Sequence, residues 1–191
     1  MARKRLVIAN WKMYIESSEE ARKFVSTLKR KSASFAGVEA WIAPPFTLLP
    51  VLGGLKLGGQ AISANTGSHT GEVSAPMLKE AGASFTIVGH SERRASGDTN
   101  EDIHAQLAAA AGAGLAPVLC VGERERHSTT LGASTPDHWS FIQEQLSSAL
   151  AGAQSLSSKL IIAYEPVWVI GKTSINAMRP SEIEEMTIFI R

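Results

Sequence analysis

The stretch that decides the fold is Phe85–Val121, FTIVGHSERRASGDTNEDIHAQLAAAAGAGLAPVLCV. It opens with a short apolar, β-branched run, Phe85–Gly89, and closes with another, Pro117–Val121. Between them, Thr99 with Asp102 has the spacing of a helix capping box, and alanine-rich residues carry the helix to Gly112 or Gly114. Neither apolar run alternates with polar residues, as expected of strands buried on both faces of a parallel sheet. The stretch therefore reads as one βαβ unit.

The same grammar repeats outward. Further strands are expected at Leu6–Ala9, Val38–Ala43, Leu55–Gln60 and Leu160–Tyr164. Ser17 and Glu20 form a second possible capping box, followed by Ala21, Phe24, Val25 and Leu28 on one helical face. Ser74 before Pro76 suits a short helix ended by Gly82. Thr135-Pro136 suits the start of a helix carrying Trp139, Ile142, Leu146 and Leu150. Ser181 with Glu184 predicts a last helix, with Ile183, Met186 and Ile190 as its stripe. The count is six βα units in a single domain, 1–191, as either an open doubly wound sheet or a barrel. No Gly-x-Gly-x-x-Gly follows the first strand, which disfavours a dinucleotide fold.

Composition narrows the function. Nineteen basic and 18 acidic residues are interspersed, so no nucleic-acid partner is implied. After the basic start, the apolar run Leu6–Ala9 is shorter than the roughly 7–15 residues of a secretory core, and no membrane-spanning stretch occurs. A lone cysteine, Cys120, excludes an internal disulfide framework and fits a reducing cytoplasm; it reads as a packed thiol. His69, His104, His127 and His138 lack metal-ligand spacing, so neither metal nor cofactor is expected.

In a βα barrel the reactive groups follow the strands. Asn10-Trp11-Lys12 follows the first, His90-Ser91-Glu92 the fourth, and Glu165 the sixth. Singly, these read as a loop histidine, a solvated lysine and a capping carboxylate. Together at one mouth, carboxylate, imidazole and ammonium suit proton transfer beside a carbonyl, without excluding other chemistry.

Six stretches change their weight: Ala9-Asn-Trp-Lys-Met13, Ala43-Pro-Pro45, Thr70-Gly-Glu72, Val88-Gly-His-Ser-Glu-Arg-Arg94, Cys120-Val-Gly-Glu123 and Ala163-Tyr-Glu-Pro-Val-Trp168. In these the sequence resembles the triosephosphate isomerase family, in family order across nearly the whole chain. The resemblance implies a parallel (βα) barrel, present as six of the family's eight units. It implies an isomerase interconverting dihydroxyacetone phosphate and glyceraldehyde 3-phosphate through an enediolate. By the assignment established for this family, Glu165 is the base and a neutral His90 the electrophile. Lys12 is then the fixed positive charge, Asn10 orients substrate, Glu92 is a buried carboxylate near Lys12, and Ser91 holds Glu165 at rest. Pro166, Val167 and Trp168 begin the family's closing lid, with Gly171 as the remaining phosphate-binding amide, since Gly171-Lys-Thr173 is about two residues shorter than the family's tip. Thr70 marks the loop that enters a partner's site, implying a homo-oligomer. Ala61 replaces an asparagine that braces that loop in the family. The phosphate-gripping loops of the seventh and eighth units lie beyond Arg191. That leaves alternatives: a truncated, weakly active fragment that folds by oligomerisation, a non-catalytic assembly protein, or an enzyme whose last units come from another chain.

Overall fold

The computed structural model of the chain describes residues 5–32, 37–125, 138–152, 159–173 and 177–191. Six strands form one parallel sheet in the order β1-β2-β3-β4-β5-β6. They are β1 Arg5–Asn10, β2 Val38–Ala43, β3 Lys56–Gly59, β4 Phe85–Val88, β5 Ala116–Val121 and β6 Ile161–Tyr164. The helices are α1 Ser18–Ser32, α2 Ala75–Glu80, α3 Ser91–Ala95, α4 Asn100–Gly112, α5 His138–Leu150 and α6 Pro180–Ile190. All six expected strands are present, with ends shifted by a residue or two.

The strand order never reverses, so no topological switch point exists and the doubly wound alternative falls away. Two separate cores agree with this. Outward-facing strand residues such as Ile42, Leu57, Val88, Leu119 and Val121 pack against the helices. Inward-facing ones form a second cluster, with Trp41, Ala43, Phe85, Ile87, Val118 and Cys120 buried, and Ile8 and Ala163 beside it. One face is covered by helices and the other by the sheet's own curvature, which is a barrel wall. The chain contains six units of it, with β1 and β6 as the edges of the sheet.

The inner cluster is built around two aromatic side chains, Trp41 and Phe85. Trp41 and Phe85 stack at 5.0 Å between ring centroids. The Trp41 indole N–H donates to Glu39 Oε1 at 2.8 Å, the same oxygen that Lys56 Nζ approaches at 2.8 Å. Gly58 makes room for this stack, because a Cβ there would lie 2.6 Å from three Phe85 ring atoms. Gly58→Ala is therefore expected to destabilise the chain by about 1–3 kcal/mol through overpacking. Gly112→Ala, in a helix position with open space around it, is expected to stabilise by about 0.5–1 kcal/mol. Urea unfolding of both variants checks the opposite signs.

Helix starts follow the expected chemistry. Ser17 Oγ accepts the Glu20 N–H at 3.2 Å, and Ser74 Oγ accepts that of Met77 at 3.5 Å. At α4, Thr99 Oγ1 accepts the Asp102 N–H at 3.1 Å, and Asp102 Oδ2 accepts the Thr99 N–H at 2.9 Å. These bonds favour the ionised carboxylate and lower the Asp102 pKa. A depressed folded value means the contribution is present above the unfolded pKa and lost as pH falls through the folded one. Asp102→Asn, which keeps an acceptor and removes the charge from an exposed first turn, should thus cost about 0.3–1 kcal/mol at pH 7 and progressively less below pH 4, in unfolding curves taken across that range.

Two expectations change. The last helix starts at Pro180, not after Ser181, with Glu182 Oε2 accepting the Arg179 N–H at 2.7 Å. Proline supplies the fixed φ of a first helical residue and needs no N–H partner there, so it sets the start. On α1, Ala21 and Val25 are buried, whereas Phe24 is 48% exposed and meets Trp11 edge-on at 5.3 Å. Thr135-Pro136 and His127 lie outside the described residues.

Candidate active site

The strand ends place Asn10, Lys12, His90 and Glu165 at the same C-terminal mouth of the sheet. Lys12 stands two residues beyond β1 with φ +48°, a left-handed conformation that costs a non-glycine residue about 1–3 kcal/mol. Its surroundings over-determine it. The Asn10 side-chain oxygen accepts the Lys12 N–H at 3.0 Å. Gln60 Nε2 donates to Lys12 O at 2.8 Å and to Ala43 O at 3.1 Å, and Trp11 N–H reaches Ala43 O at 3.0 Å. Asn10 thus acts on the backbone of Lys12, and the ammonium leaves the loop in a fixed direction.

Lys12 Nζ meets Glu92 Oε1 at 2.7 Å. That hydrogen bond is the chief cause raising the Lys12 pKa and lowering that of Glu92. Glu92 was expected to be buried, yet its side chain is 64% exposed. It sits on the first turn of α3, two residues after His90. In such exposure the pair adds little stability, and its effect is to aim the ammonium.

His90 caps α3, and its Nδ1 accepts the Glu92 N–H at 3.2 Å. An acceptor Nδ1 requires a neutral ring with the proton on Nε2. Nε2 points into the mouth, 3.8 Å from Glu165 Oε2.

Glu165 follows β6, its N–H bonded to Val121 O at 2.8 Å. Its Oε1 accepts the Cys120 thiol at 3.4 Å, while Oε2 is buried with no hydrogen-bond partner among the described residues. Ser91, expected to hold this carboxylate, makes no hydrogen bond to it; the thiol on β5 does so instead. Burial and the adjacent carboxylate push the Cys120 pKa far up, so its sulfur stays a protonated donor. A cavity of about 620 Å³ opens on the helix side of Glu165, lined in part by Ser91, Arg94, Cys120, Gln145 and Val167; Asn10, Lys12 and His90 do not line it.

The segment beyond Glu165 is short and tethered. Pro166 is buried, and Val167–Val169 form one 3₁₀ turn. Trp168 Nε1 donates to Glu123 Oε1 at 2.7 Å, and Tyr164 hydroxyl donates to the same carboxylate at 2.9 Å. Glu123 is 3% exposed. In the sequence it closes the Cys120-Val-Gly-Glu123 motif, from which no role is predicted for it. The available signal is an acid two residues past a strand, close to the placement of Glu165 just after β6. Gly171 lies at the exposed tip with φ +74°. Thr70 is exposed in the loop after β3, outside the cluster around Lys12. Among the described residues, no three His, Cys, Asp or Glu side chains converge as metal ligands would, and no helix is long and apolar enough to cross a membrane.

The model of the triosephosphate isomerase family matches residues 5–191. The chain is 39% identical over 196 residues to the triosephosphate isomerase of Aquifex aeolicus, a match covering 98% of this chain and 76% of that one. With the Symbiobacterium thermophilum enzyme the identity is 42% over 178 residues, covering 87% and 66%. Its fold is similar to the crystal structure of triosephosphate isomerase from Bartonella henselae, with a TM-score of 0.77 at 35% identity, covering 98% of this chain and 74% of that one.

Proposed function

This chain belongs to the triosephosphate isomerase family, and on that footing we propose that it interconverts dihydroxyacetone phosphate and glyceraldehyde 3-phosphate. The observation that carries the reading is the buried Glu165 carboxylate oxygen, without a partner among the described residues and 3.8 Å from the proton-bearing nitrogen of a neutral imidazole. Buried acceptors are ordinarily satisfied, and a free one at a strand end is suited to take a proton from carbon.

In the proposed reaction, Glu165 removes the proton from the carbon beside the carbonyl, and the electron pair moves onto the carbonyl oxygen. His90 Nε2–H donates to that oxygen and recovers a proton from the neighbouring hydroxyl. Glu165 returns its proton to the other carbon. Lys12 stabilises the negative charge of the enediolate throughout. At about 4 Å such a charge is worth roughly 4 kcal/mol at an effective dielectric of 20, against about 1 in water, so exclusion of water matters. The Pro166–Trp168 segment, hinged on Glu123, is the proposed lid, with the Gly171 amide turned to the phosphate.

We also propose pairing of two copies through the loop carrying Thr70, supported by Met13 and Tyr14, which are 82% and 83% exposed beside Lys12. Tyr14→Asp should shift the mass measured by light scattering towards the monomer. A second reading, assembly with slow or no turnover, is favoured by apolar residues exposed near the sheet edges. Val7 on β1 is 54% exposed, and Ile183 and Ile188 on α6 are 47% and 67% exposed. A coupled assay with purified protein separates the readings. Turnover that vanishes in Glu165→Gln supports the isomerase; none above background leaves the second.

A further inference from the structure

Both backbone polar groups of Gly122, just past β5, are held by one side chain. Gln145 on α5 is 4% exposed. Its Oε1 accepts the Gly122 N–H at 2.9 Å, and its Nε2 donates to Gly122 O at 3.4 Å. Only a primary amide of this length offers acceptor and donor together at that reach.

The clamped peptide is pressed against the backbone of Glu165. A Cβ on Gly122 would lie 1.9 Å from Glu165 O, 2.5 Å from its carbonyl carbon and 3.2 Å from Pro166 N. The two backbones thus approach too closely for any side chain at Gly122, and a tilt of the Gly122 backbone would be felt at Glu165. On either side, Glu165 N–H bonds Val121 O at 2.8 Å and Val167 N–H bonds Glu123 O at 2.9 Å. Three consecutive residues of one strand end thus support three consecutive residues of the next.

We propose that Gln145 is a positioning residue for Glu165. By fixing the Gly122 peptide from α5, it sets the backbone from which the Glu165 carboxylate reaches towards His90. The inference rests on the reading of Glu165 as the base. The simpler account is that Gln145 only satisfies a buried peptide unit. That account predicts a loss of stability with unchanged turnover per folded molecule.

The test compares the unmodified chain with Gln145→Leu, which removes both bonds at similar volume, and Gln145→Glu, which keeps the acceptor for Gly122 N–H. Steady-state kinetics are read with the ¹⁵N–¹H resonance of the Trp168 indole, assigned with Trp168→Phe. That indole, three residues beyond Glu165, donates to Glu123 and reports the segment without needing turnover. The expectation is a kcat loss of about 10–100-fold in Gln145→Leu with KM nearly unchanged. The indole resonance should move, and Gln145→Glu should recover part of both effects. Should Gln145→Leu not fold, Gln145→Glu alone must show the smaller kcat loss and shift. A folded Gln145→Leu with normal kcat and an unmoved indole overturns the proposal. If the unmodified chain shows no turnover, the isomerase reading fails by itself. The indole then decides the positioning claim: moved supports it, unmoved overturns it.

Discussion

Replacing Glu165 with glutamine is expected to lower kcat by about 10²–10⁴-fold with little change in fold. The amide is nearly the same shape, and its oxygen still accepts the Cys120 thiol that holds the carboxylate now at 3.4 Å. What disappears is the basic Oε2, buried beside His90 with no partner among the described residues. Glu165→Asp makes a sharper companion. It keeps a base but withdraws it by one methylene, a displacement of the size that costs about 10²-fold when reacting atoms must meet. Thermal unfolding midpoints close to that of the unmodified chain, with kcat reduced in both variants, are the expected pattern. Loss of kcat accompanied by loss of fold would instead make Glu165 a structural residue.

The second large effect is expected at Lys12. Lys12→Met keeps the length of the side chain and removes its charge, so turnover should fall by about 10²–10³-fold, the scale for removing one preorganised group that stabilises an oxyanion. The strained backbone is held by Asn10 and Gln60, not by the ammonium, so the loop should persist. Glu92→Gln is the control: it leaves the cation in place and removes only the partner 2.7 Å away, so its effect should be much smaller. The pH dependence follows from the raised Lys12 value. The folded-state pairing is complete below the ordinary lysine pKa and is lost only as pH rises through the higher folded value. The corresponding loss at low pH comes from Glu92, whose value is depressed, and appears only as pH falls below the usual glutamate range. A plateau of activity through neutral pH, insensitive to this pair, is therefore expected.

Much of this was legible in the residues. Continuous apolar runs such as Pro117–Val121 announced buried parallel strands, and Thr99 with Asp102 announced a helix start, because both signals are local. The residues after each strand fell at one mouth because a parallel sheet puts all its strand ends on one side. Side-chain direction was less legible. A strand buried on both faces has no alternation, so nothing in Trp41-Ile42-Ala43 told which residue faced the barrel interior and required Gly58 opposite Phe85. Partner identity was least legible. Whether Ser91 or Cys120 holds Glu165 depends on the curvature of the sheet between β4 and β5. Glu92 lies in a quoted motif yet is 64% exposed, because a motif carries residue identity and not what covers a side chain. Glu123 and Gln145 act across 45 and 23 residues of sequence on Trp168 and Gly122, beyond any spacing rule.

The central claim is that Glu165 moves a carbon-bound proton, and exchange with solvent tests it most directly. Dihydroxyacetone phosphate incubated with the purified chain in deuterium oxide should gain deuterium at the carbon beside the carbonyl and appear as labelled glyceraldehyde 3-phosphate by proton NMR. The same incubation with Glu165→Gln should give only the background label. Equal labelling by both proteins, or none with the unmodified chain, would contradict the account.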